Sequence, residues 1–109
     1  MPPSIDVTRL ADGTRILIET PNCIWAFKVI EASTALLEVY GTDKHFKDSA
    51  PVKGRLLHSY EPVSGGPNEP HTLVKDWNFQ VQFANVVLVG GPISTARIEG
   101  KDWSYEAIK

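Results

Sequence analysis

Turn residues cut this chain into apolar runs too short to fold as helices. No window of a dozen residues keeps apolar side chains at i, i+3, i+4 and i+7 without a Gly or Pro interrupting. The runs are rich in Val, Ile, Leu and aromatics, which is the pattern of strands between turns. FQVQF, at residues 79–83, alternates most cleanly. A period of two sorts Phe79, Val81 and Phe83 onto one face and Gln80 and Gln82 onto the other. The expected fold is all-β, a small barrel or β-roll of six to seven mostly antiparallel strands. Closing or rolling such a sheet removes or shelters its edges.

The runs order themselves along the chain. Residues 14–20 (TRILIET) follow the turn Asp12-Gly13 and leave through Pro21-Asn22 into residues 24–31 (IWAFKVIE), where Trp25, Phe27 and Val29 share a face. The pair reads as a β-hairpin, because Pro cannot donate to a ladder and Asn tolerates tight turns. Residues 35–41 (ALLEVYG) pair back as a meander. Residues 42–50 form a polar surface loop pinned by Phe46. In residues 52–61 (VKGRLLHSYE) strict alternation places Val52, Gly54, Leu56, His58 and Tyr60 on a buried face, and Lys53, Arg55, Leu57 and Ser59 on a solvated one. Residues 61–72 (EPVSGGPNEPHT) carry enough Pro and Gly to read as the longest loop, without strand or helix. Residues 79–83, 86–89 and 93–98 supply the last strands. The tail, residues 101–109, docks through Trp103, Tyr105 and Ile108.

At 109 residues, 42% apolar and 22% charged, the chain is expected to form one domain, residues 1–109, around one core. The net charge of −2 lowers the case for a nucleic-acid binder, since phosphate contacts call for a basic balance. A single cysteine, Cys23, rules out an internal disulfide and a Cys-rich zinc motif. The N-terminus has no apolar run behind a basic start, so no secretory signal is expected. Residues 86–93, the longest near-apolar run, fall far short of the roughly 20 residues a membrane helix needs. A cytoplasmic protein without membrane association is expected.

Candidate chemistry is sparse. His45, His58 and His71 lie in separate segments with no HxH or HxxxH spacing, so no metal ligands are assigned. His45 and His71 read as loop residues in water, and His58 as a half-buried, hydrogen-bonded histidine. Cys23 follows a turn and has no helix or base nearby in sequence to lower its pKa, so it reads as a small buried hydrophobe. The carboxylates are scattered. Gly65-Gly66 and Gly90-Gly91-Pro92 match no phosphate-cradling motif. No catalytic, cofactor-binding or metal residue follows, and no cofactor is expected. The surface-binding candidates are Lys53 and Arg55, with Lys28 beside them if the register permits, and Trp77 in the turn Asp76-Trp77-Asn78 as an anchor for a protein partner or a plug at one end of the barrel.

Residues 18–30 (IETPNCIWAFKVI), 37–41 (LEVYG), 51–56 (PVKGRL) and 91–98 (GPISTARI) together resemble an uncharacterised family of small bacterial all-β domain proteins. Its pattern runs ET-x-N-S-x-Y-x-F-x-V, then V-x-V-x-G-G, A-R-L-x-G-S and T-S-P-V-x-S-I. This chain departs from the pattern with Cys23 and Trp25 for Ser and Tyr, with one glycine at Gly41 for two, and with Leu57-His58 for Gly-Ser. The resemblance implies the fold class and assigns no activity.

Three functional readings stay open, in this order. The first is a non-enzymatic interaction or accessory module, with a protein partner or a homo-oligomer. Residues 79–83 are the sheet edge it would offer. The second is a small-molecule binder or enzyme whose site assembles only in three dimensions, around His58 or Cys23. The third is a small barrel that stacks nucleic-acid bases on a basic, aromatic sheet face.

Overall fold

All seven sequence runs become strands of one antiparallel sheet in the computed structural model, which describes residues 3–43, 46, 50–64, 66 and 68–109. The strands are β1 (Ser4–Asp6), β2 (Arg15–Glu19), β3 (Ile24–Glu31), β4 (Leu36–Gly41), β5 (Val52–Tyr60), β6 (Asn68–Pro70), β7 (Thr72–Val74), β8 (Asn78–Phe83), β9 (Val86–Gly90) and β10 (Thr95–Glu99). The main sheet runs β10-β2-β3-β4-β5-β8-β9, with β6 added on β5, while β1 and β7 form a separate two-stranded ribbon. β10 and β9 end the sheet and do not pair with each other. The sheet is therefore an open roll and not a closed barrel.

Local chemistry shapes the turns. Between β2 and β3 the Thr20 hydroxyl donates to the Cys23 carbonyl at 2.7 Å and accepts from the Cys23 N–H at 3.1 Å. Between β3 and β4, Ala35 takes a left-handed φ of 54° after a short 3-10 turn at Ala32–Thr34, and the Asp12 carboxylate accepts the Ala32 N–H at 2.9 Å. The two-residue turn Ala84-Asn85 joins β8 to β9.

The concave side of the roll holds an aromatic cluster. Trp25 meets Phe27, Phe46 and Phe79 edge-on, with ring centroids 6.3, 5.5 and 5.3 Å apart. Such pairs add about 0.5–1.5 kcal/mol each beyond the area they bury. The convex side is apolar where the C-terminal segment lies across it. Leu17, Ala26 and Tyr40 face outward there by register and are nevertheless buried. Tyr105 sits on Tyr40 at 4.8 Å, and Trp103 and Ile108 pack against the core beside it. The tail docks as the sequence implies.

Two sequence expectations need correction. The face assignment of β5 fails after Leu56. Leu56 pairs with Val81 and His58 with Gln80, so Leu57 is an extra residue in the ladder. A bulge of one residue exchanges the faces of everything beyond it. Ser59, expected in water, is fully buried opposite Phe79 and donates to the Thr72 carbonyl at 2.5 Å. His58 and Tyr60 turn instead to the side of Gln80 and Asn78. The loop at 61–72 also contains β6, whose Asn68, Glu69 and Pro70 pair with Tyr60, Ser59 and His58. Pro is tolerated there because β6 lies at the margin of the sheet. The short β1, β6 and β7 have no alternation long enough to read.

Candidate functional site

Among the described residues the interior is filled. Trp25, Phe27, Leu56, Phe79 and Val81 are buried against one another, and half-buried Phe83 packs on the same cluster. The cavities found among the described residues are surface depressions. One of about 160 Å³ lies under Trp103 and Tyr105, bounded by Arg15, Lys28 and Glu38. Another, of about 250 Å³, separates β1 from the start of β10. Neither His58 nor Cys23 lines either one. Among the described residues no three of His, Cys, Asp and Glu are gathered to hold a metal ion, and no helix is long and apolar enough to cross a membrane.

Each sequence candidate has a definite place. Lys53 and Arg55 are exposed on the convex face. The register brings Lys28 to the same face, but Glu38 stands between Lys28 and Lys53, in a cross-strand row that reads Glu99, Arg15, Lys28, Glu38, Lys53. The row mixes signs, so it makes no continuous basic track. Of its aromatic neighbours Trp25 faces the core and Tyr40 lies beneath Tyr105, while the bulge carries half-buried Tyr60 to the convex side, edge-on to His58 with ring centroids 6.0 Å apart. Trp77 is half-buried. Its N–H donates to the Val74 carbonyl and its carbonyl accepts the Ile93 N–H, both near 3 Å, so it ties β7 to the segment before β10.

Cys23 is half-buried at the β2–β3 turn. Burial pushes its thiol pKa up, the Thr20 hydroxyl partly offsets this, and the negative charge of Asp43 adds to the rise. A nucleophilic cysteine needs the opposite shift. His71, expected in water, is half-buried at the β6–β7 turn. Its φ is 53° and its Nδ1 lies 2.8 Å from the Leu56 carbonyl, so it fastens that turn to β5. His45 lies outside the described residues, as do Lys44, Lys47, Asp48 and Ser49 of its loop, while Phe46 is buried.

The sheet edge is the remaining feature, and it is not where the alternation pointed. β8, at Asn78–Phe83, is paired on both sides, by β5 and β9. Among the described residues the free edge at this end of the sheet is β9. Val86, Val87 and Val89 are 50%, 46% and 54% exposed, and no charged residue occurs between Asp76 and Arg97. Residues flanking a two-residue turn form a hydrogen-bonded pair, and such pairs alternate along an antiparallel ladder. Phe83 and Val86 flank Ala84-Asn85. Val86, Leu88 and Gly90 therefore turn their N–H and C=O groups to β8, and Val87 and Val89 turn theirs away from the sheet. Among the described residues no strand takes these groups up. The opposite edge, β10, is blunted by an Arg97–Glu99 ion pair at 2.7 Å. Charge is one of the devices that protect edges, and β9 has none. The long charge-free segment was the sequence signal for this edge; strand order was the missing piece. No family model, curated protein or solved structure matches the chain.

Proposed function

We propose that this protein is a non-enzymatic interaction module whose partner adds an extended strand to β9. The supporting observation is the edge itself: outward backbone groups at Val87 and Val89, exposed valines on both faces, and no charge to oppose a neighbour. Strand addition draws affinity from main-chain hydrogen bonds and specificity from alternate side chains. A filled core and scattered titratable groups favour this reading over catalysis.

The test uses amide exchange followed by NMR, with a threonine–valine alternating hexapeptide flanked by lysines as the probe. Added peptide is expected to slow exchange at Val87 and Val89 while leaving β10 unchanged. Slowed exchange only at other sites, or none at millimolar peptide, rejects the reading.

A further inference from the structure

We infer that the depression beneath the C-terminal segment binds a small organic monoanion, a carboxylate carried on a single flat ring. The site lies on the convex face, away from β9, and does not depend on strand addition there.

Opposed charge is the first observation. Half-buried Arg15 on β2 stands directly opposite exposed Lys28 on β3. Like charges so placed destabilise an antiparallel pair. Flanking carboxylates could relieve the two cations, and neither does. Glu99 flanks Arg15 but is held by Arg97 at 2.7 Å. Glu38 flanks Lys28. Among the described residues neither cation makes an ion pair within 4.0 Å. Functional sites commonly retain such a cost to stability.

Position is the second observation. Both cations border the depression of about 160 Å³, together with Glu38, Trp103, Ser104 and Tyr105. The space arises from side-chain size. In the cross-strand row Leu17, Ala26, Tyr40 the short alanine lies between two large residues, and it lines the gap that Trp103 and Tyr105 border. A cavity of roughly 150 Å³ holds one benzene ring, so one ring fits between these aromatics. The charges around the depression come to +1, which a single carboxylate neutralises. A phosphate dianion would carry excess charge towards Glu38. The arginine fork meets a carboxylate through two N–H groups. The Ser104 hydroxyl, which caps no backbone N–H of its own turn, is a further donor at the rim. On their other side Arg15 and Lys28 border a depression with Lys101. Its carboxylates, Asp12 and Glu99, are bonded to the Ala32 N–H and to Arg97.

The experiment titrates benzoate into the full chain at constant ionic strength, followed by two-dimensional NMR. Saturable shifts are expected at Arg15, Lys28, Trp103 and Tyr105 at millimolar benzoate. Benzamide has the same shape without the charge and is expected to bind about tenfold more weakly, the worth of one charge-assisted hydrogen bond. Arg15→Gln and Lys28→Gln are each expected to weaken benzoate by about the same factor. Without ligand both variants should melt at or above the parent temperature, because the opposed charges are gone. Glu38→Gln should tighten benzoate binding, and inorganic phosphate should compete no better than chloride. Benzamide binding as tightly as benzoate, or full affinity in both glutamine variants, overturns the anion site. Phosphate binding there more tightly than benzoate overturns the ring-bearing ligand. Glutamine variants that melt below the parent assign the cations to the fold instead. An absence of shifts at these four residues overturns the inference outright.

Discussion

At the residue scale, single positions hold the core in place through close approach and burial. A Cβ built at Gly90 lies only 2.4 Å from the Phe79 Cζ, and Phe79 is fully buried among Trp25 and Phe27. Gly90→Ala must displace a ring that has no space to enter, at a cost of about 1–3 kcal/mol. Denaturant titration should show a lower midpoint with an unchanged slope. Gly54→Ala meets Phe83 at 2.8 Å and buried Val81 at 2.9 Å; half-buried Phe83 can shift and the closest approach is longer than at Gly90, so its loss should be smaller. Equal losses would contradict this account. Cys23 gives a pH-dependent prediction. Its raised pKa means the folded protein holds the thiol proton longer than the unfolded chain does. Stability is then fully present below the unfolded thiol pKa and declines as pH rises through and above it. Alkylation at neutral pH should be slower in the folded protein than in denaturant, and a Cys23→Ser variant should lose less stability on moving to alkaline pH.

At the element scale, the hydrogen-bond phase of β9 separates two neighbouring positions. Val87→Pro removes an N–H that points out of the sheet, and edge strands tolerate proline in that phase. Leu88→Pro removes one that bonds to β8. Thermal melts should place Leu88→Pro well below Val87→Pro, and the reverse order would refute the assigned phase. Elements were also where the sequence was most legible. The alternations at Trp25, Phe27 and Val29 and at Phe79, Val81 and Phe83 locate strands and their buried faces, because a period of two has one structural meaning. Position within the sheet was not legible. Whether residues 79–83 or 86–90 form the edge depends on β5 arriving at β8, a pairing between distant parts of the chain. The bulge at Leu57 was equally hidden, since an extra residue appears only when the ladder is laid against its partner. That one residue moved Ser59 from water to the core and His58 out of it.

At the scale of the whole molecule, the roll is completed by its last nine residues. Tyr105 sits on Tyr40, Trp103 and Tyr105 border one depression with Ala26, and Trp103 and Ile108 pack against the core. Three half-buried side chains contribute on the order of 2–4 kcal/mol at usual transfer energies. A chain ending at Gly100 is expected to lose about that much and to bind an apolar dye more strongly, which urea titration and dye fluorescence would measure. Retained stability without the segment would mean that these contacts add little to the fold.

The two ends of the sheet are unlike. A strand that comes to lie against this ladder meets the Arg97–Glu99 ion pair and its hydration at one margin, and bare amides flanked by exposed valines at the other. Water must be stripped from charge at the first and only from methyl groups at the second, so the margin at residues 86–90 is the easier way in.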